Sequence, residues 1–382
     1  MFLSNAIIPP TMDALVREPF QLTNAESSPF MSVPSIANLL FGIAIGLWSD
    51  RTGRRVPMLA LGLIGSGICF SLLPYIPSWH AMLGLRFLEG TFSVMASTLV
   101  FARALDLLTD GNRTRGMALV TAGLPVGYLA GPILAAIVGD KSLAALYLAG
   151  GLPLIAGGIW VLAGIRSESA IKPNESTFAE MIGTIRRAPG MIVPLIFGFV
   201  DKFTFGTMAI LTSFALKDIY NDGTVKTAGW VTSAFWVAFL VGCYPASRLI
   251  ERTGPWWPLI IGSALYGVAF AGMSHGSIEV FAGLMGLCGF LTAIMYIPSL
   301  ILIGRLAPVG ERGTAMAVFN TVGMMGLIVG LVTSSRLSDL SYAKAYGTAG
   351  ALEIFAAIIG LICMQVFFKR ARNGTPVSLA RD

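Results

Sequence analysis

From Phe30 to Phe368 the chain alternates long apolar runs with short polar interruptions. The runs read approximately Phe30–Trp48, Val56–Ile76, Trp79–Leu105, Met117–Val138, Leu143–Ile165, Met191–Leu216, Ala228–Ile250, Trp256–Met273, Val280–Ile303, Thr314–Ser334 and Ala345–Phe368. Most reach the ~20 residues that an α-helix needs to cross a bilayer. Gly and Pro recur inside them, as spanning helices tolerate when neighbours cover the freed backbone groups. A further apolar segment opens the chain, Met1 to Leu15. At about fifteen residues it falls short of a full span. A first helix truncated at its N-terminus accounts for it better than a cleaved signal peptide, because no basic segment precedes the run and Pro9 and Pro10 lie inside it. With that fragment the pattern predicts an all-α membrane protein of twelve transmembrane helices, numbered one to twelve below.

The polar interruptions carry the topology. Of the 26 Lys and Arg residues, eighteen fall in loops after even-numbered helices or in the tail and six fall in the opposite loops. Arg103 and Arg248, at the inner ends of their runs, are counted with the first set, and Arg86 and Lys202 lie deeper within spans. The excess places the first set of loops and both termini in the cytoplasm. The longest connection, 166–190, divides the chain into halves 1–165 and 191–368, with a tail 369–382. Inside it Thr177 and Glu180 form a capping-box pattern. Phe178, Met181, Ile182 and Ile185 make one apolar face, which fits a helix at the inner membrane surface or an ordinary linker helix against the bundle.

Composition agrees with this class. Hydrophobic residues make up 55% of the 382 residues and charged residues 12%, against about 25% charged in soluble domains; the mean hydropathy is +0.76. The net charge of +6 is explained by topology, so no nucleic-acid partner is implied. Cys69, Cys243, Cys288 and Cys363 are scattered one per helix without metal-ligand spacing, and no G-x-x-x-x-G-K-[ST] phosphate loop occurs. Neither a metal nor a cofactor is predicted. Nor do a nucleophile, base and orienting group recur at enzyme spacing. Any energy used comes from a gradient.

The loop between helices two and three, GLWSDRTGRR, packs four charges into a turn. Asp50 can accept from free N–H groups at a helix start, Gly53 permits the turn, and Arg51, Arg54 and Arg55 hold it at the inner face. With Gly46, these residues fill every defined position of G-x-x-x-D-R-x-G-R-R, and the pattern resembles the loop motif of the major facilitator superfamily. The second half repeats it in degenerate form, with Glu251, Arg252 and Gly254 each 201 residues after Asp50, Arg51 and Gly53. The resemblance implies two pseudo-symmetric six-helix bundles that expose a midplane site to each side in turn. It also implies that Asp106 pairs with Arg54 or Arg55 to clamp the inner gate.

Two further segments resemble motifs of the drug:proton antiporters of that superfamily. LRFLEG in helix four resembles R-x-x-Q-G with Glu89 for Gln, which implies a part for Arg86 in proton coupling; a structural Arg86–Glu89 ion pair is the alternative. GYLAGPILAA in helix five is close to G-x-x-x-G-P-x-x-G-G. There Gly123, Gly127 and Gly131 would let a neighbour approach and Pro132 weakens the ladder, which makes Gly127, Gly131 and Pro132 a candidate hinge.

Helix seven carries Asp201 and Lys202 about eleven residues from its inner end, a rise of ~16 Å and so near the middle of a ~30 Å core. Asp201 is a candidate proton carrier. From the resemblance, Asn5, Asn38, Tyr128, Lys202, Trp236, Tyr296 and Asn320 are candidate cavity residues. Asp13 is expected to be wet and Glu353, in peripheral helix twelve, to be a packing residue. The resemblance implies a monomeric, proton-coupled exporter of small organic solutes in the inner or plasma membrane. An importer, or a non-transporting receptor or assembly factor on the same scaffold, remains open.

Overall fold

In the computed structural model, residues 1–52, 55–107, 113–164, 178–308 and 311–372 are described; the side chains of residues 43, 46–47, 50–52, 55, 101–107, 113–122, 178–182, 312–313 and 366–372 are not. Among the described residues there are helices and no strands. The twelve long helices are one (Phe2–Met12, continued by a π-helical turn Asp13–Arg17 and Glu18–Phe20), two (Pro29–Thr52), three (Arg55–Leu72), four (Trp79–Leu107), five (Arg113–Val138) and six (Leu143–Gly164). Seven (Ile192–Tyr220), eight (Val225–Thr253), nine (Trp256–Ala271), ten (Ile278–Leu306), eleven (Arg312–Leu340) and twelve (Tyr342–Arg372) follow the linker helix Phe178–Arg187. Eight helical stretches among the described residues are long and apolar enough to cross a membrane.

Burial runs opposite to that of a water-soluble bundle. Trp160, Val126, Val268 and Ile362 are 78%, 63%, 63% and 56% exposed, while Arg86, Glu89, Asp201 and Glu353 are buried. Large apolar side chains on the outside and charges on the inside are stable only in lipid.

Two compact units form, Met1–Glu175 with Thr212–Ser233, and Ser176–Leu211 with Ala234–Asp382. In the first, helix three packs on four and six, two on four, and one on five. In the second, nine packs on ten and twelve, and eleven on twelve. The internal repeat is therefore visible in packing: the pair three–six corresponds to nine–twelve. Glycines set both contacts. A Cβ on Gly67 would lie 2.8 Å from the Gly151 carbonyl oxygen, and one on Gly267 would lie 2.6 Å from that of Gly350, so no side chain fits at either crossing.

Helix one differs from its expected form. It runs on to Phe20 instead of ending near Leu15: the α-helix passes through Pro9 and Pro10 to Met12, the wide turn at Asp13–Arg17 continues it, and Gln21 closes it in the left-handed conformation. Ser4 Oγ donates to the Gly150 carbonyl at 2.9 Å, and Thr11 Oγ1 meets the Tyr147 hydroxyl at 2.8 Å, fastening helix one to helix six.

The linker helix docks on helix eleven. Thr184 Oγ1 donates to Glu311 at 2.7 Å and Arg187 pairs with the same carboxylate at 2.9 Å. The side chains of its expected capping box lie outside the described residues.

Candidate functional site

Two polar centres lie within the helical bundles. In the first unit, Arg86 Nη1 meets Glu89 Oε2 at 2.7 Å, and both residues are buried. Arg86 Nε also donates to the Phe30 carbonyl at 3.0 Å, and its guanidinium lies 4.7 Å from the Phe30 ring. The reason is local. Residue 34 is proline, so it has no N–H to give to the carbonyl four residues back, and Arg86 supplies the missing donor. Ser66 Oγ donates to the second Glu89 oxygen at 3.2 Å. Gly90 completes the arrangement, for a Cβ there would come within 2.5 Å of Pro34 Cα. LRFLEG thus mends a proline gap in helix two, neutralises the mending cation and makes room for the proline ring.

In the second unit, Asp201 is 7% exposed and neither carboxyl oxygen has a hydrogen-bond partner among the described residues. One turn on, Thr204 Oγ1 donates to Glu353 Oε1 at 3.0 Å, and Ser263 Oγ to Glu353 Oε2 at 2.5 Å. Glu353 is wholly buried, close enough to Asp201 to act on it electrostatically. It packs as expected, yet it is also a second carboxyl beside Asp201, a proximity missed in the sequence. Its signal was a lone carboxylate in an apolar span.

Lys202, about 100° round the helix, points elsewhere. Its ammonium lies 5.5 Å from the Phe205 ring centre and 5.7 Å from that of Tyr296. Trp236 stands edge-on to Phe205 at 6.1 Å, and Phe319 lies 6.5 Å from Tyr296. Of the expected cavity residues, Lys202 and Tyr296 thus lie side by side, and Trp236 stands one ring further on, behind Phe205. Asn320 is exposed one turn before Gly323, whose Cα faces the Lys202 stem. Asn5, Asn38 and Tyr128 are half-buried in the first unit, Tyr128 against Phe2 at 5.7 Å.

Of the expected hinge, Gly127 and Gly131 accept helix one: a Cβ would come 2.8 Å from Phe2 Cβ at the first and 2.6 Å from Ala6 Cβ at the second. Gly123 faces open space, so the contact is two glycines deep. Helix five runs unbroken through Pro132. Of the gating motif, Gly53 and Arg54 lie outside the described residues, as do the side chains of Gly46, Asp50, Arg51, Arg55 and Asp106. Glu251 and Arg252 are exposed at the end of helix eight, which Gly254 closes with φ of 76°.

Asp13 is not wet. It is 2% exposed and pairs with Arg17 at 2.6 Å and Lys217 at 2.9 Å, because the π turn directs it inward. Arg17 in turn grips Asp218 through two bonds of 2.5 and 2.7 Å and donates to Asn24 at 2.9 Å. Asp140 accepts from the Val225 N–H at 2.8 Å, capping helix eight. The C-terminal end of helix seven and the start of helix eight are held by these ties within the first unit.

An apolar exterior, buried charges and a repeated six-helix pattern define a polytopic membrane protein with polar groups buried within its helices. A sequence profile of the Major Facilitator Superfamily matches residues 1–214 and 202–381, and the chain belongs to that family. It is accordingly a membrane transporter for a small-molecule substrate, and not an enzyme. It is 23% identical over 387 residues to the uncharacterized MFS-type transporter YceJ of Bacillus subtilis, covering 100% of this chain and 95% of that one. It is 25% identical over 402 residues to the class G tetracycline resistance protein of Vibrio anguillarum, covering 94% and 92%. Among solved structures, the nucleoside transporter NupG superposes with a TM-score of 0.77 at 12% identity, covering 95% and 97%. The D-xylose-proton symporter gives 0.74 at 14% identity, covering 94% and 93%. These two likenesses concern the fold.

Proposed function

We propose that the protein is a proton-coupled exporter of small amphipathic organic compounds, resident in the inner or plasma membrane with both termini cytoplasmic. Two six-helix halves, 1–165 and 191–368, joined by the linker 166–190, rock about a site at mid-depth. The observation that carries the reading is Asp201: a carboxyl group within an apolar helix long enough to cross a membrane, shut off from water, with neither oxygen hydrogen-bonded among the described residues. Efflux is favoured by relatives named for it, including the class G tetracycline resistance protein and the multi-drug resistance efflux pump PmrA of Streptococcus pneumoniae, 18% identical over 347 residues. Lys202, Trp236 and Tyr296 are the proposed substrate contacts. Arg86 and Glu89 are fully engaged in packing, which favours a positioning role for that pair over proton transfer.

The test uses membrane vesicles of both orientations with an imposed pH gradient. Export predicts accumulation in energised inverted vesicles that Asp201→Asn abolishes. Accumulation in right-side-out vesicles would instead establish import, and unchanged gradient-driven flux in Asp201→Asn would remove Asp201 from coupling. No flux of any solute, with a stable protein partner, would point to the receptor or assembly reading.

A further inference from the structure

We propose that Lys202, framed by Phe205 and Tyr296, is the subsite for an anionic group of the transported solute, so that the substrate class is an amphipathic organic carboxylate with a flat apolar body. The proposal rests on the transport reading and adds the chemistry of the cargo to it.

Three observations converge. First, the Lys202 ammonium has no carboxylate within ion-pair distance among the described residues; the adjacent Asp201, which lies near Glu353, acts on it through space but makes no ion pair with it. Two ring faces beyond 5 Å recover only part of what an ammonium gives up on leaving water. A cation so placed is completed by an anion, and a charge-assisted bond to a carboxylate is the strong way to do it. Second, the site is reachable. Lys202, Phe205 and Tyr296 are each half-buried, whereas Asp201 and Thr204 next to them are buried. Third, half-buried rings flank the ammonium on both sides, Phe205 on one and Tyr296 on the other, and buried rings back them, Trp236 edge-on to Phe205 at 6.1 Å and Phe319 6.5 Å from Tyr296. Such surface suits a flat apolar body attached to the charged group.

Helix eleven shapes the back of this arrangement. A Cβ on Gly323 would lie 3.2 Å from Lys202 Cγ, so glycine there leaves room for the lysine stem. Asn320, exposed one turn earlier on the same face, supplies an amide for hydrogen bonding.

The decisive measurement is binding, taken separately from transport. Purified protein in phosphatidylcholine nanodiscs is titrated with three probes that share one ring system: 2-naphthoate, 2-naphthamide and 2-naphthylmethylammonium. We expect naphthoate to bind at least tenfold tighter than the amide and the ammonium probe to bind weakest. Lys202→Met should erase the preference and Lys202→Arg should keep it. Gly323→Ala, which presses on the lysine stem, should weaken naphthoate more than the amide, and it replaces Lys202→Met if that variant elutes aggregated. Equal binding of the three probes, no binding of naphthoate, or a preference that survives Lys202→Met or is unmoved by Gly323→Ala would overturn the subsite. Naphthoate binding that depends on Lys202, with no flux in vesicles of either orientation, would overturn the transport reading and leave the subsite standing.

Discussion

Arg86→Met tests the account of LRFLEG. The substitution removes the charged partner of a buried carboxylate, leaving Glu89 with the Ser66 hydroxyl at 3.2 Å, and strips the Phe30 carbonyl of the donor that Pro34 cannot provide. Breaking a buried ion pair from one side costs about 3–5 kcal/mol. Removing the second charge as well, in Arg86→Met/Glu89→Met, leaves chiefly the orphaned carbonyl, a cost of about 1–3 kcal/mol. Adding Pro34→Ala should recover much of that remainder, because residue 34 then has an N–H aimed at the carbonyl of residue 30. The expected order of thermal stability is therefore wild type, triple variant, double variant, single variant. Unfolding of membrane proteins is often irreversible, so the order is read as the monodisperse fraction surviving a series of temperatures in one detergent. A single variant as durable as wild type, or a Pro34→Ala change that brings no recovery, would refute the reasoning. If the pair moved protons instead, Glu89→Gln would shift the pH profile of transport with little thermal effect.

The crossing of helices nine and twelve leaves no room at Gly267, so Gly267→Val should force the pair apart and lower stability by about 1–3 kcal/mol, seen in the same heating series. The Arg17–Asp218 tie should keep Ser213 buried: in a background lacking the native cysteines, Asp218→Asn is expected to speed labelling of Ser213→Cys by a thiol reagent, and an unchanged rate would show that the tie does not shield it. The hydroxyl of Thr184, then the cation of Arg187, hold the Glu311 carboxyl below its ordinary range. Because the folded-state value is depressed, the linker helix gains this anchorage above the ordinary glutamate pKa and loses it as pH falls through the depressed value. Hydrogen exchange of Phe178–Arg187 should thus be slow at neutral pH and fast in acid, and Glu311→Gln should raise the neutral rate.

Much of the architecture was legible in the chain. Eleven helices followed from the length of the apolar runs, since a bilayer fixes the span and forbids an unpaired backbone, and the twelfth from reading the shorter opening run as part of a helix. The repeat followed from matched loop residues, and it reappears as matched glycine crossings. The class of protein followed from these together. What the sequence left open was decided by which side chains meet. Asp13 and Glu353 looked wet and peripheral, yet a π turn buried the first and helix seven brought Asp201 alongside the second. The Arg86–Glu89 alternatives could not be separated until Phe30, 56 positions away, was seen to need a donor. Apolar periodicity is a property of one helix and survives in the sequence. The environment of a buried charge belongs to the helices around it, and it exists only once they have packed.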